Sequence, residues 1–423
     1  MRVAGIISEF NPFHKGHRYL IDTVRKDLQP DGIIAVMSGN FVQRGEPAMW
    51  DKWIRAACAV ENGVDLVLEL PVCYAVNSGE EFARGGIGVL KGTGIVTDLA
   101  FGSESGSRAL LEGTADLLAE ESESFSAAMR TAMSHGISYP AAYERAASSH
   151  PELRSEKHRG LLRASNDILA LEYMKQIRRS KAAFEIFPVQ RIGPGHDQEG
   201  SSQGFASAGS IRRAILEGSP WETWRGFLPA DSSAVLACEE PFGTADSDRY
   251  AALLRYTLQT HSKDELGRLI SVTEGLENRL KQAAIRGVTV QDIVMGVKTK
   301  RYTYARIARI MVQALLGMDK DRYRQICEDQ AFYGRVLGFS RRGAALLRQM
   351  RRETAGMPVY TNPKQWMAAG GSIRDSLAWD ALASDIYSII KGTTVYQGSE
   401  YVRKPYVSNK ETEIICTSAH RGV

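Results

Sequence analysis

The chain has 423 residues, 43% of them hydrophobic and 24% charged, the balance of a globular protein with room for more than one core. Its apolar opening run, Val3–Ile7, is too short for a signal-peptide core or a membrane span, and the five scattered cysteines (Cys58, Cys73, Cys238, Cys327, Cys416) form no C-x-x-C pair, which predicts buried free thiols, a reducing cytoplasmic setting and no membrane partner. Net charge is only +4, yet Lys281–Tyr360 holds 16 Lys and Arg against 6 Asp and Glu, an excess that predicts a polyanionic partner over a merely solvated helical face.

Strands are predicted at Val3–Ser8, Gly32–Met37, Asp65–Leu70 and Asp98–Phe101, with helices starting at Gly16, Lys52 and Ser78. Short apolar strands alternating with helices give βαβ units and a parallel sheet. Ligands of such sheets sit beyond the carboxyl ends of the strands, which points to the loops Phe10–Lys15, Ser38–Pro47, Pro71–Ser78 and Gly102–Gly106. A helical stretch from Ser107 to Gln176, broken at His135–Pro140, leads to a fifth strand at Phe184–Gln190, which ends in Arg191-Ile192-Gly193-Pro194-Gly195-His196. A Ser- and Gly-rich loop then opens another helix within Phe205–Arg213. From Ala230 to Pro358 the pattern is mainly helical, with short strands predicted at Val359–Tyr360 and Thr394–Tyr396. The expected architecture is α/β: a Rossmann-like parallel-sheet domain over 1–229, then a mainly helical, basic domain over 230–423.

The most telling stretch is Glu9-Phe10-Asn11-Pro12-Phe13-His14-Lys15-Gly16-His17-Arg18-Tyr19-Leu20, where the first strand turns into the first helix. Unpaired amides at such a helix start favour anions, and Gly16 lacks the Cβ that would keep backbone from a ligand. Two histidines three apart at this turn point to the phosphates of ATP. A zinc pair is the weaker reading, because no Cys or third His lies nearby to complete a tetrahedral site, and no metal ligand is assigned.

Other loops add candidates. Gly39-Asn40-Phe41-Val42-Gln43-Arg44-Gly45-Glu46-Pro47 follows the second strand and reads as substrate-facing, with Arg44 able to neutralise an anion. Lys52 and Arg55 share a helix face that meets either phosphates or solvent. Gly102 ends the fourth strand where backbone can lie against a nucleoside. Ser165-Asn166 reads as a helix cap. Lys298-Thr299-Lys300-Arg301-Tyr302-Thr303-Tyr304-Ala305-Arg306-Ile307-Ala308-Arg309 mixes cations with tyrosines that can stack on unpaired bases, and Arg306 and Arg309 share a helix face. Arg341-Arg342, Arg348 and Arg351-Arg352 make a second cluster. No broad apolar face accompanies the charge, so RNA fits better than a membrane.

The pattern His14-x-Gly16-His17 after a first strand resembles the signature of the HIGH-motif nucleotidyltransferases and class I aminoacyl-tRNA synthetases. Ser207-Ala208-Gly209-Ser210-Ile211-Arg212 resembles the second signature of the nucleotidyltransferases, Ile-Ser-Ser-Thr-x-Ile-Arg, although Ala208 and Gly209 replace the second Ser and the Thr. The resemblance gives Ser207, Ser210 and Arg212 to the leaving pyrophosphate. With Gly5–His17, Ser38–Pro47, Lys298–Thr303 and Arg335-Val336-Leu337-Gly338-Phe339, the whole chain resembles the bacterial tRNA(Met) cytidine acetate ligase family.

That resemblance implies a cytoplasmic two-step ligase. Acetate attacks the α-phosphate of ATP, with Mg²⁺ accompanying the phosphates; the amine of the wobble cytidine of elongator tRNA(Met) then takes the acetyl group, giving N4-acetylcytidine. No protein partner is implied. By resemblance the ATP contacts are Ile7, Ser8, Glu9, Phe10, Asn11, Pro12, Phe13, His14, Lys15, Gly16, His17, Arg18, Tyr19, Leu20, Gly102, Asn166, Arg191 and Ile192. His14, Lys15 and His17 stand as catalytic residues, and Lys298, Lys300, Arg301, Arg306 and Arg309 as tRNA contacts. Two alternatives stay open at this stage: an adenylyltransferase acting on a phosphorylated metabolite, and a non-catalytic ATP-dependent RNA-binding factor. The residues identify neither an acetate pocket nor a base for the cytidine amine.

Overall fold

Apolar runs buried on both faces make the central strands. β1 (Val3–Ser8), β2 (Gly32–Ser38), β3 (Leu66–Leu70), β4 (Asp98–Ser103) and β5 (Glu185–Gln190) run parallel in the order β3-β2-β1-β4-β5. Every residue of β2 and β3 is buried, as expected of strands covered by helices on both sides. The computed structural model describes residues 1–119, 123–134, 137, 139–147, 153, 155–192, 201–202, 204–273, 275–299, 302–353, 357–395 and 400–408. β6 (Ser201–Ser202) and β7 (Phe205–Ala206) form a separate antiparallel pair.

The second half is mainly helical but returns to the sheet. β8 (Gly334–Phe339) pairs antiparallel with β3, and β9 (Val359–Tyr360) and β10 (Tyr406–Val407) pair parallel with β8, so the eight-stranded sheet is mixed. β8 lies inside the stretch expected to be helical. Two glycines and an arginine dilute its apolar signal, and its β character comes from burial beside β3. Thr394 stands outside any strand, and Tyr396 lies outside the described residues.

A buried ionic cluster ties this returning segment to the sheet. Lys52 Nζ lies 2.6 Å from Glu69 Oε1 and 2.5 Å from Glu400 Oε1, and Arg335 meets Glu400 at 2.8 Å. Asp380 accepts from the Val72 amide at 2.7 Å and from the Tyr333 hydroxyl. Burial pushes Glu69 up to about 8 against the pull of Lys52, and pushes Asp380 up to about 6. The expectation for Lys52 and Arg55 is therefore corrected. Neither meets phosphate or solvent: Lys52 belongs to this cluster, while Arg55 donates to the carbonyls of Trp50 (3.0 Å), Glu9 (2.6 Å), Ser38 (3.1 Å) and Gly39. A buried guanidinium here holds the ends of β1 and β2 together.

Of the cysteines, Cys58 and Cys73 are buried as expected, Cys327 is partly buried and Cys238 is exposed; all four are free, and Cys416 lies outside the described residues. Among the described residues no helix is long and apolar enough to cross a membrane.

Candidate active site

The turn after β1 is organised by its two histidines. His14 caps the helix Lys15–Thr23: its Nδ1 accepts the Gly16 amide at 3.0 Å, while His17 Nδ1 accepts the His14 amide at 3.2 Å. This is a capping box built from imidazoles instead of Ser and Glu. Because both Nδ1 atoms accept, each neutral ring carries its proton on Nε2. The rings stack at 3.9 Å, and His17 stands edge-on to Phe10 at 5.0 Å. Burial, then the charges of His14 and Arg191, hold His17 well below the usual imidazole value, so it is a neutral N–H donor at neutral pH.

Gly16 lines the cavity above this turn and has a second purpose that its sequence position does not suggest. A Cβ there would meet His14 Cε1 at 2.8 Å and Nδ1 at 3.0 Å, so the missing side chain makes room for the capping ring.

Above this turn a cavity of about 130 Å³ is lined by Ile7, Ser8, His14, Gly16, His17, Tyr19, Leu20, Gly102, Asn166, Arg191, Ile192 and Ser207, with Phe101, Leu169, Tyr173, Val189, Gln190 and Phe205 also on its wall. It adjoins a chamber of about 920 Å³ that shares His14, His17, Asn166, Arg191 and Ser207 and adds Glu9, Phe10, Asn11, Gln43, Arg44, Glu46, Asn77, Arg212, Tyr304, Arg306 and Arg309. The β4 wall is locked reciprocally. Asp167 accepts from Ser103 Oγ (2.5 Å) and the amides of Glu104 (3.1 Å) and Ser105 (3.0 Å), while Glu104 accepts from Asn166 Nδ2 (2.6 Å) and the Asp167 amide (3.0 Å). Asn166 is thus not a cap: the N-cap of its helix is Ala164, and Glu104 serves those amides from across the chain.

The loop after β2 joins the two halves of the chamber. Gln43 donates its amide to Glu9 Oε1 at 2.8 Å, and its carbonyl accepts from Arg309 Nη1 at 3.2 Å. Gly45, at φ +81°, lies so close to the helix Tyr304–Leu315 that a Cβ would come within 2.2 Å of the Arg309 amide nitrogen. Phe41 and Val42 are apolar because they are core, fully buried under the loop.

The chamber's electrostatics favour an anion. Burial, then Arg306, pulls Arg309 down to about 10, and burial lowers Arg212, which donates to the Asn11 carbonyl at 2.8 Å. Among the described residues Arg309 has no carboxylate partner; a partly desolvated cation in that state favours any ligand that supplies the counter-charge. Burial raises the Glu46 carboxyl, opposed by Arg212 and Arg44.

Not every expected residue faces this space. Lys15 is exposed and lines neither cavity; Arg18 pairs with Asp22 at 2.8 Å; Pro12 and Phe13 are buried off the cavity wall. Ser210 supports Ser207, their hydroxyls 2.9 Å apart, and is not on the wall. Lys298 is exposed away from the chamber, and Lys300, Arg301 and His196 lie outside the described residues. Arg306 and Arg309, expected as tRNA contacts, form one wall of the same chamber as the histidines. Sequence reasoning missed Tyr173 and Asn77, although Asn77 lies in a loop marked by its place after a strand, whereas Tyr304, one of the two tyrosines expected to stack on bases, does line the chamber.

The family model described as HIGH Nucleotidyl Transferase matches residues 1–401. The chain is 34% identical over 417 residues to a tRNA(Met) cytidine acetate ligase of Clostridium kluyveri, covering 97% of this chain and 100% of that one. It is 36% identical over 410 residues to a tRNA(Met) cytidine acetate ligase of Fervidobacterium nodosum, covering 92% and 95%. Its fold superposes on the crystal structure of Thermotoga maritima TmcAL in the apo form with a TM-score of 0.87, at 31% identity, covering 96% of this chain and 99% of that one. A second crystal structure of the same protein, bound with alpha-thio ATP, matches equally well, also at a TM-score of 0.87.

Proposed function

Because this chain belongs to the HIGH nucleotidyl transferases, and within them to the family of the tRNA(Met) cytidine acetate ligases, we propose that it is an ATP-dependent ligase that acetylates N4 of the wobble cytidine of elongator tRNA(Met). One observation supports this reading above the others. The neutral, Nε2-protonated histidine pair and the cationic helix carrying Arg306 and Arg309 share one chamber, so a nucleotide and a polyanionic acceptor can meet in it.

In the first step an acetate oxygen attacks the α-phosphorus of ATP and pyrophosphate leaves. His14 and His17 donate from Nε2 to phosphate oxygens, and Arg191, Ser207 and Arg212 hold the departing charge in a partly desolvated setting where such donors are strong. Gly102, Asn166 and Ile192 take the nucleoside end in the smaller cavity. The oxygen donors on the wall, Ser8 and Glu9, suit a Mg²⁺ ion carried in with the phosphates, which would neutralise part of their charge. In the second step the cytidine amine attacks the acetyl carbonyl, AMP leaves with the electron pair of the broken C–O bond, and the amine gives up a proton. Glu46 is our candidate acceptor: it lines the chamber and, among the described residues, its carboxyl makes no hydrogen bond, whereas Glu9 is engaged by Gln43 and Glu80 by Arg179. Residues 1–229 then carry the nucleotide chemistry and residues 230–423 the RNA contacts.

The test is nucleoside analysis of tRNA(Met) incubated with the protein, ATP and labelled acetate. Labelled N4-acetylcytidine, with pyrophosphate release that collapses in His17→Ala, is the expected result. Adenylylation of a phosphorylated metabolite without any need for acetate would overturn the reading.

A further inference from the structure

The basic block that reads as continuous in sequence is divided by the fold into two surfaces that face different ends of the sheet. Arg306 and Arg309 line the chamber at the carboxyl ends of the strands. The helix Arg341–Glu353 lies at the other end: Leu346 fills the space where a Cβ on Gly32, the first residue of β2, would stand 2.7 Å away, and Gly343 abuts the Asp65 carbonyl just before β3. β2 has seven residues, so about 20 Å of sheet separates the two.

This helix buries Gly343, Leu346, Leu347 and Met350 and turns its arginines outward. Arg341, Arg348, Arg351 and Arg352 are exposed and Arg342 is partly so. Arg341, Arg348 and Arg352 recur at the spacing of one helical stripe, about 16 Å long at 1.5 Å per residue. Among the described residues none of the five has an ion-pair or hydrogen-bond partner. The helix has one acid, Glu353, and it accepts from Gln349 at 2.9 Å. Several surface arginines elsewhere are paired, Arg18 with Asp22 (2.8 Å), Arg108 with Glu185 (2.6 Å), Arg163 with Glu144 (2.6 Å) and Arg179 with Glu80 (2.5 Å), and those without an acid partner among the described residues, such as Arg225 and Arg286, stand singly and not as a cluster of five. Five arginines against one acid are costly to leave bare through self-repulsion, and their forked guanidiniums match phosphate oxygens better than lysines would.

We propose that the Arg341–Arg352 face grips the sugar–phosphate backbone of the tRNA at a segment remote from the base that enters the chamber. The inference rests on the proposed function for the identity of its RNA. The two surfaces face opposite ends of the sheet, so an RNA touching both must pass around it, a path longer than the ~20 Å straight through; a whole tRNA suits that path better than a compact stem-loop, and the face contributes to selecting it by shape while the chamber reads the reacting base.

The experiment compares the full-length protein with Arg348→Ala/Arg351→Ala/Arg352→Ala and with the single charge reversal Arg351→Glu. Thermal unfolding serves as a control, because these side chains make no bonds among the described residues. Binding of full-length tRNA(Met) and of its isolated anticodon stem-loop is measured at several salt concentrations. The triple variant should bind full-length tRNA at least tenfold more weakly, with a log–log salt slope shallower by about 2 to 3. Stem-loop binding and acetate-dependent pyrophosphate release should be unchanged. Unaltered affinity and slope for full-length tRNA would overturn the proposal. So would equal weakening for the stem-loop. Absence of acetylated tRNA with the wild type would strike the proposed function alone, since the binding comparison is read without turnover.

Discussion

At the scale of single residues the site is a matter of room and proton inventory. His14 can cap its helix only because position 16 lacks a Cβ. Gly16→Ala should push the ring off the amide, costing about 1 kcal/mol of stability as a lost cap does and lowering pyrophosphate release at least tenfold; denaturant titration and a single-turnover assay read the two effects. His17 makes the second prediction. Its folded value lies below the ordinary 6.5 because burial disfavours the imidazolium. Below pH 6.5 the unfolded chain therefore takes up a proton that the fold refuses, and the stability present above 6.5 is lost as pH falls. Urea midpoints at pH 7.5 and 5.5 should differ less in His17→Gln than in the wild type. An unchanged difference would mean that His17 titrates normally.

At the scale of elements, the β2 loop and the helix Tyr304–Leu315 act as one unit. Gln43 touches Glu9 on one side and Arg309 on the other, and Gly45 meets the helix backbone with no space between. Gly45→Ala places a side chain both in a left-handed conformation and against the Arg309 nitrogen. The expected loss is about 3 kcal/mol, from backbone strain and overpacking together, measured by chemical denaturation. In protein that remains folded, acetyl transfer to tRNA should fall further than pyrophosphate release, because the displaced loop carries Glu46 and supports Arg309. A uniform loss of both activities would show that the loop serves the nucleotide step alone.

At the scale of the whole molecule, the returning segment is held to the sheet by buried charge. Lys52→Met leaves the ionised Glu400, and the Glu69 carboxyl that shares the same ammonium, without that cation and should cost about 3 to 5 kcal/mol. Glu69→Gln is the contrasting case. The Glu69 carboxyl is raised to about 8 by burial, so its contribution is full below the ordinary carboxyl value and is lost as pH rises through about 8, the unfolded chain releasing a proton that the fold retains. Urea midpoints measured from pH 6 to 9 should decline in the wild type and flatten in Glu69→Gln. The division between what was legible in sequence and what was not follows the reach of the interactions. The parallel strands β1 to β5, the histidine-bearing turn and the helix start within Phe205–Arg213 were readable because they arise from contacts within a few residues: apolar runs, turn chemistry and helix starts. β8, the burial of Lys52 and Arg55, the service of Asn166 by Glu104 and the splitting of one basic block into two surfaces were not, since each depends on partners tens to hundreds of residues away. By itself the sequence determined a histidine-bearing turn between the first strand and first helix of an α/β sheet, because local hydrogen bonding and side-chain period suffice to build it. Only the tertiary structure decided which cations face that turn, because desolvation and counter-charge belong to the packed molecule and not to any segment of the chain.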